Sequence, residues 1–359
     1  MKNNSKISSK NNKLKLIAII IILFILVKTH SIMDSRINIV PEKVYEINTL
    51  PNICENVKAG GFSDLFYKGG KLYLLTDRGP NSDIKFISDK EVRIFYCPGF
   101  IPTIYEVNLE GDKGIKVAGK GKINGISALP AEEYSDCLPI SPKGSLLQTQ
   151  LSGADTESFI VDKKGNYWVG EEYYPSIIKL NKDMEVVKRF APKNSTIQNS
   201  KMIYNLPEEL NSIQRNYGFT AMAYDGKNHI YVFTKSVLKN DMYGRIIKFN
   251  IRTEKPDKIY KYAIDSESSV SGAVMYNKNT ILTVENRNGI NQIRQITLKG
   301  KILKSKNIYP LIGLNKIDEH TKIEGIAYDG KNLYITNDND FGMNEDNRSD
   351  NFILEFTLK

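Results

Sequence analysis

The chain has 359 residues, 41% of them hydrophobic and 25% charged, with 20 Tyr and 14 Phe; this describes a folded globular protein of one large domain or two small ones. The formal net charge of +9 comes largely from Lys2, Lys6, Lys10, Lys13, Lys15 and Lys28, opposed locally only by Asp34. The remainder is nearly balanced and has no basic stripe interleaved with aromatics, so nucleic acid is not an expected partner.

Leu16 to Val27, "LIAIIIILFILV", is an unbroken apolar run behind a lysine-rich, acid-free leader. Its length matches the apolar region of an export signal and falls short of the ~20 residues of a spanning helix. No clear A-x-A cleavage site follows. Residues 1–32 are therefore read as an apolar signal helix, with an uncleaved membrane anchor as the second reading. The expected location is outside the cytoplasm, periplasmic or extracellular, with membrane contact only through this segment. Cys54, Cys97 and Cys137 fit no zinc spacing. One disulfide with one free thiol and three reduced cysteines are both compatible with the sequence, which does not choose a pair.

From Val40 onward, short strand-like runs alternate with turns, and one pattern returns. It is visible in "GGFSDLFYKGGKLYLLTDRGPN" from Gly60, "DTESFIVDKKGNYWVGEEYYPSIIKLN" from Asp155 and "YGFTAMAYDGKNHIYVFTKS" from Tyr217. It recurs in "VSGAVMYNKNTILTVENRNGINQIRQITL" from Val270 and "KIEGIAYDGKNLYITNDNDFG" from Lys322. The later copies repeat at a spacing typical of propeller blades. The expected fold is all-β, a six-bladed β-propeller over residues 41–359, with five or seven blades as the alternatives. Five copies are visible, the segment from Glu106 to Gln150 leaves room for a sixth, and "KVYEINT" at Lys43 is placed to pair with the last blade and close the ring. Closure removes exposed strand edges.

In a propeller the inner strands and their loops converge on a central channel. Asp64, Glu157, Thr220, Ser271 and Glu324 are aligned near the first strand of each copy. Asp77, Glu171, Glu285 and Asp338 are aligned near the end of the second strand. The expectation is an acidic ring at the channel mouth.

Several of these segments together resemble the phytase-like family of bacterial exported proteins described as having esterase-like activity. The resemblance is carried by "GGFSDL" (Gly60–Leu65), "TDRGPN" (Thr76–Asn81), "DTESF" (Asp155–Phe159) and "GEEYYPSI" (Gly170–Ile177). "NYGFTAM" (Asn216–Met222), "KIEGIA" (Lys322–Ala327) and "NDNDFG" (Asn337–Gly342) complete it. It spans roughly Pro41 to Lys359. Two positions depart from the pattern: Thr220 stands where the family commonly has Glu, and Asp64 where a small residue is usual.

Grouped carboxylates repel one another and need a compensating charge. An oxygen-only set suits Ca²⁺ or Mg²⁺ rather than zinc, and Ca²⁺ is the expected ion. Asp77, Glu157, Glu171, Glu324, Asp338 and Asp340 are its candidate ligands. Such an ion polarises a phosphoryl oxygen, and Arg78 and Arg287 are candidates to bind phosphate oxygens. Glu171 or Glu172 is the candidate general base. This describes metal-assisted hydrolysis of a small-molecule phosphoester or other ester. A non-catalytic, cation-stabilised binding module outside the cytoplasm is the alternative. Of His30, His229 and His320, only His320 lies near a motif. No G-x-S-x-G elbow, Walker loop or dinucleotide fingerprint is present.

Overall fold

The computed structural model describes residues 40–47, 50–111, 114–197, 200–311, 317, 320–343 and 350–357. The apolar segment from Leu16 to Val27 lies outside the described residues. Within them the chain is all-β, with helical structure confined to short 3₁₀ turns.

The strands are where β-branched and aromatic residues cluster between turn formers. The two identical "YDGKN" turns show how local sequence sets each hairpin. Asp225 Oδ1 accepts the N–H groups of Lys227, Asn228 and His229, and Asp329 Oδ1 accepts those of Lys331 and Asn332. Asp162 does the same for Lys164 and Asn166. Each aspartate closes the turn that starts its blade's second strand.

Five blades form among the described residues. The first has Phe62–Lys68, Lys71–Thr76, Thr103–Glu110 and Gly114–Lys122. The second has Thr156–Val161, Tyr167–Glu171, Ser176–Leu180 and Val186–Pro192, extended by the parallel strand Met202–Leu206. The third has Phe219–Tyr224, His229–Thr234, Gly244–Asn250 and Lys255–Tyr262. The fourth has Ser268–Asn277, Thr280–Arg287, Ile290–Thr297 and Ser305–Pro310. The fifth has Lys322–Tyr328, Asn332–Asp338 and Phe352–Thr357, and takes its outer strand, Lys43–Glu46, from the start of the described chain. Tyr45 opposite Ile353 centres that pairing, so the early strand closes the ring as expected.

The five inner strands pack against one another in cyclic order, first to second and so on, with the fifth against the first. Each gap between blades holds its own apolar core. Leu75, Ile104, Phe159 and Val169 fill the first gap; Trp168, Phe190, Met222 and Val232 fill the second. Phe233, Tyr260, Val270 and Ile281 fill the third, Leu282, Val284, Leu333 and Phe352 the fourth, and Phe62, Leu74, Tyr334 and Ile353 the fifth.

The expected sixth blade is not formed by the segment from Glu106 to Gln150. Its first part supplies the outer strands of the first blade. Its last part adds Leu138–Ile140 to a small side sheet with Lys85–Ile87 and Lys90–Ile94. The physical reason is an insertion: residues 77–102 separate the second and third strands of the first blade, so that one blade reads in sequence as two fragments. A disulfide joins Cys54 to Cys97 across this insertion. Cys137 remains a thiol, and burial followed by the adjacent Asp136 carboxylate pushes it up to about 11.

Candidate active site at the channel mouth

Every inner strand carries a bulge at the same point. The register against the second strand slips between Phe62 and Asp64, Thr156 and Ser158, Phe219 and Ala221, Val270 and Gly272, and Ile323 and Gly325. A bulge re-aims the extra residue. The five extra residues are Ser63, Glu157, Thr220, Ser271 and Glu324. Three are hydroxyls that stitch blades together: Ser63 Oγ donates to Thr156 O at 2.7 Å, Thr220 Oγ1 donates to Val270 O, and Ser271 Oγ donates to Ile323 O at 2.9 Å. The other two are glutamates.

Asp64 is therefore not in the ring position where the sequence aligned it. It sits one residue further on, with its carboxylate accepting the N–H groups of Leu65 and Phe159, each at 2.8 Å. A one-residue step along a strand reverses the face. Burial outweighs these hydrogen bonds and pushes its carboxyl well above the usual range.

The second ring lies at the ends of the second strands. Asp77, Glu172 and Lys235 each donate a backbone N–H to the residue before the bulged strand, Gly61, Asp155 and Gly218 respectively. Asn286 and Asp338 are paired with Ser269 and Lys322 at the equivalent register. The structural set is thus Asp77, Glu172, Lys235, Asn286 and Asp338. The sequence alignment gave Glu171 and Glu285, each one residue too early.

Both displaced glutamates point away from the mouth. Glu171 is fully buried and ion-paired with Arg189 at 2.6 Å, with Ser176 Oγ donating at 3.1 Å; burial lifts its carboxyl to about 7 despite Arg189. Glu285 is held by Arg287 Nε at 2.8 Å and by the Thr283 hydroxyl at 2.7 Å. Arg287 spends its guanidinium on Glu285, Tyr262 and Asp265. These placements separate Glu171 and Arg287 from the candidate site.

The mouth opens into a cleft of about 630 Å³ lined by Asp77, Glu157, Glu172, Glu324, Asp338 and Asp340, with Arg78, Arg93, Lys235 and Lys322 as cations. Asp77 and Asp338 each shape a turn while lining it. Asp77 Oδ1 accepts Gly79 N–H at 2.7 Å, and Asp338 Oδ1 accepts Asp340 N–H at 2.7 Å. The turn after Asp338 places Phe341 against Gly61, where a Cβ would come within 2.0 Å of the ring; the "GG" of the first motif makes room for it.

The electrostatics are those of crowded acids. Burial, then Asp338 and Asp155, push Asp77 well above the usual carboxylate range. Burial, then Asp155, Glu172 and Glu324, do the same to Glu157. Glu324 is lifted by burial to about 7, with Lys235 and Lys322 opposing. Asp338 is raised by burial and by Asp340, with Lys322 opposing. Internal cations answer part of this charge. Arg78 Nη1 binds Asp155 and, at 3.0 Å, Asn216 Oδ1, and the guanidinium lies 5.4 Å from the Tyr173 ring centre. Lys235 Nζ binds Glu172, and Lys322 Nζ binds Asp340 at 2.7 Å.

Carboxylate oxygens of Asp155, Glu157 and Glu172 lie within 4.8 Å of one another. Three hard oxygen donors at that spacing fit a Ca²⁺- or Mg²⁺-sized ion with bonds of roughly 2.1–2.6 Å. Asp155, Arg93, Lys235, Lys322 and Asn286 escaped sequence reasoning. The doublets Thr76-Asp77 and Thr234-Lys235 ending their strands were the available signal for Lys235. His320 lines the cleft; His229 sits instead between Asp225 and Asp257, at 3.0 Å from each.

Fold and site define an all-β, propeller-like protein with an acidic, cation-braced cleft at its channel mouth. A family model described as phytase-like, esterase-like activity of phytase, matches residues 57–341; the chain belongs to this family. No curated protein matches it. Similar solved structures include the β-propeller domain of Cps50 (Swd1) from Myceliophteria thermophila, at 11% identity and TM-score 0.30 over 51% of this chain and 49% of that one. A GH43 β-1,3-galactosidase with galactodeoxynojirimycin is similar at 14% identity and TM-score 0.44, over 89% of this chain and 95% of that one. An exo-β-1,3-galactanase from Phanerochaete chrysosporium with galactose is similar at 7% identity and TM-score 0.48, over 88% of this chain and 65% of that one.

Proposed function

We propose that this protein is an exported hydrolase that cleaves small-molecule phosphoesters or other esters in the cleft at the channel mouth, with a divalent cation, Ca²⁺ by preference, held by Glu157, Asp155 and Glu172. The observation that carries the reading is the 4.8 Å grouping of those three carboxylates, of which Glu157 and Glu172 line an open cleft and Asp155 is buried behind them. Membership of a family described by esterase-like activity supports the hydrolytic class. When bound, the ion supplies Lewis acidity toward a phosphoryl or carbonyl oxygen.

The chain's own residues supply the rest. Arg78, fixed by Asp155 and Asn216, offers a pre-oriented guanidinium to an anionic substrate oxygen. Glu324 is the candidate general base: its carboxyl, near 7, suits proton transfer at neutral pH. Asp77 and Asp338 line the same cleft, and their crowding, which pushes both carboxyls up, is relieved when a cation enters. Glu171, the earlier alternative for the base, is committed to Arg189.

The non-catalytic reading is favoured by one observation: Arg78 and Lys235 already satisfy two of the three acids without an ion. The test is hydrolysis of phosphomonoester, phosphodiester and carboxylester substrates with Ca²⁺, Mg²⁺ or chelator. The enzyme reading expects cation-dependent turnover that falls about 10²–10⁴-fold in Glu324→Gln with Ca²⁺ affinity retained. Ca²⁺ binding without turnover on any of these substrates establishes the binding module instead.

A further inference from the structure

Lys235 breaks the pattern of its ring. The equivalent residues of the other blades are Asp77, Glu172, Asn286 and Asp338, so one blade in five projects a cation where the others project acids or an amide. Its bulge neighbour, Thr220, carries no charge. The ammonium reaches across to Glu172 and acts electrostatically on Glu157 and Glu324. It therefore engages two of the three acids grouped for a divalent ion, together with the candidate base.

Lys235 also differs from the second internal cation. Arg78 is held on several sides, by Asp155, Asn216 and Tyr173, and its side chain is only 11% exposed. Lys235 is 32% exposed and ends in a compact point charge on a flexible stem, with the Tyr217 ring 5.6 Å away. It can leave Glu172 for solvent at a cost that Arg78 cannot match.

We propose that Lys235 is a tethered cation that competes with the divalent ion for Glu172, so that it keeps the acidic cleft folded without metal and sets how weakly metal binds. This rests on the cation reading above and deepens it: the free protein is self-compensated, and a divalent ion enters only by displacing a built-in ammonium.

The experiment measures Ca²⁺ and Mg²⁺ binding by calorimetry, and melting temperature with and without chelator, on the full chain as wild type, Lys235→Met and Lys235→Arg. The methionine variant is expected to bind Ca²⁺ at least tenfold more tightly than wild type, and its melting temperature to become chelator-sensitive. The arginine variant keeps the charge and is expected to stay within about threefold of wild type. If Lys235→Met folds only with Ca²⁺ present, the tethered-cation role is supported directly. If it fails to fold with or without ions, Lys235→Met combined with Glu172→Gln restores local neutrality; recovery of folding supports the role, and continued failure overturns it. Unchanged or weaker Ca²⁺ affinity in Lys235→Met overturns it, as does absence of divalent binding in all three proteins. Turnover is measured separately, so loss of the hydrolase reading and loss of this inference are distinguishable.

Discussion

The channel mouth is built from one repeated unit, yet its two halves differ. On the side of the third and fourth blades, Thr220, Ser271, Lys235 and Asn286 occupy the ring positions. The Thr220 and Ser271 hydroxyls there are consumed in tying each inner strand to the next. On the side of the first, second and fifth blades, the bulge at Glu157 and Glu324 points carboxylates into the cleft beside Asp77, Glu172 and Asp338. The same backbone device thus serves two ends. A hydroxyl at the bulge contributes cohesion between blades, and a carboxylate there gives up that bond for charge. The fold fixes where the bulged side chain goes; the residue type decides whether it holds the ring together or works in the cleft.

The adjacent pair Glu171 and Glu172 draws the same contrast within two residues. Arg189→Met tests the structural member and carries the largest expected effect. It leaves Glu171 buried without its partner, which costs about 3–5 kcal/mol, read as a loss of unfolding free energy in denaturant. Ring closure is the next test. In Gly325→Ala the new Cβ would lie 2.6 Å from Leu65 N and 2.8 Å from Asp64 C, both backbone atoms of the first blade. The expected cost is about 1–3 kcal/mol; a neutral result would mean that the fifth and first inner strands are not packed as described. Smaller again are Thr220→Val and Ser271→Ala. Each leaves a neighbouring blade's carbonyl short of a donor and is expected to cost about 1 kcal/mol in thermal melts, with no dependence on divalent ions.

Much of this architecture was legible. Turn residues between aromatic and β-branched strands gave the repeat, and "KVYEINT" gave the closing strand. The acids of the mouth were found to within one residue. That last residue is what a sequence alone does not settle. Bulges displace the side-chain count, so "GEE" offers two glutamates of which only Glu172 faces the cleft, and "VEN" hides Asn286 behind Glu285. "FSD" likewise drew attention to Asp64 when Ser63 holds the ring position. The preference for six blades over the alternative of five has a different origin, since the insertion of residues 77–102 cut the first blade in two. The Cys54–Cys97 pairing is a consequence of that insertion folding back, and nothing local in the sequence encodes it.

The smallest effect is also the one that sharpens the contrast most, because its sign reverses. Removing charge from the acidic half should stabilise the ion-free protein, whereas removing a hydroxyl from the other half destabilises it. Glu324 is the informative position. Burial raises its carboxyl from an ordinary value of 4.5 to about 7, against the pull of Lys235 and Lys322. The folded protein thus holds this proton more tightly than the unfolded chain. The associated stability is fully present below about pH 4.5 and is lost as pH rises through about 7. Partial exposure of Glu324 to water in the cleft screens the effect and keeps it to about 1 kcal/mol or less. In chelator, the wild-type melting temperature is therefore expected to decline between pH 5 and 7 more steeply than that of Glu324→Gln, and the variant should be the more stable protein at pH 7. Saturating Ca²⁺ should flatten the wild-type decline, because a divalent cation held nearby favours the charged form of the Glu324 carboxyl, while leaving the variant's profile nearly unchanged. A Glu324→Gln protein that is less stable than wild type at pH 7 in chelator would place Glu324 with Thr220 and Ser271, as a residue that stitches blades, and the division of the mouth into two halves would no longer hold.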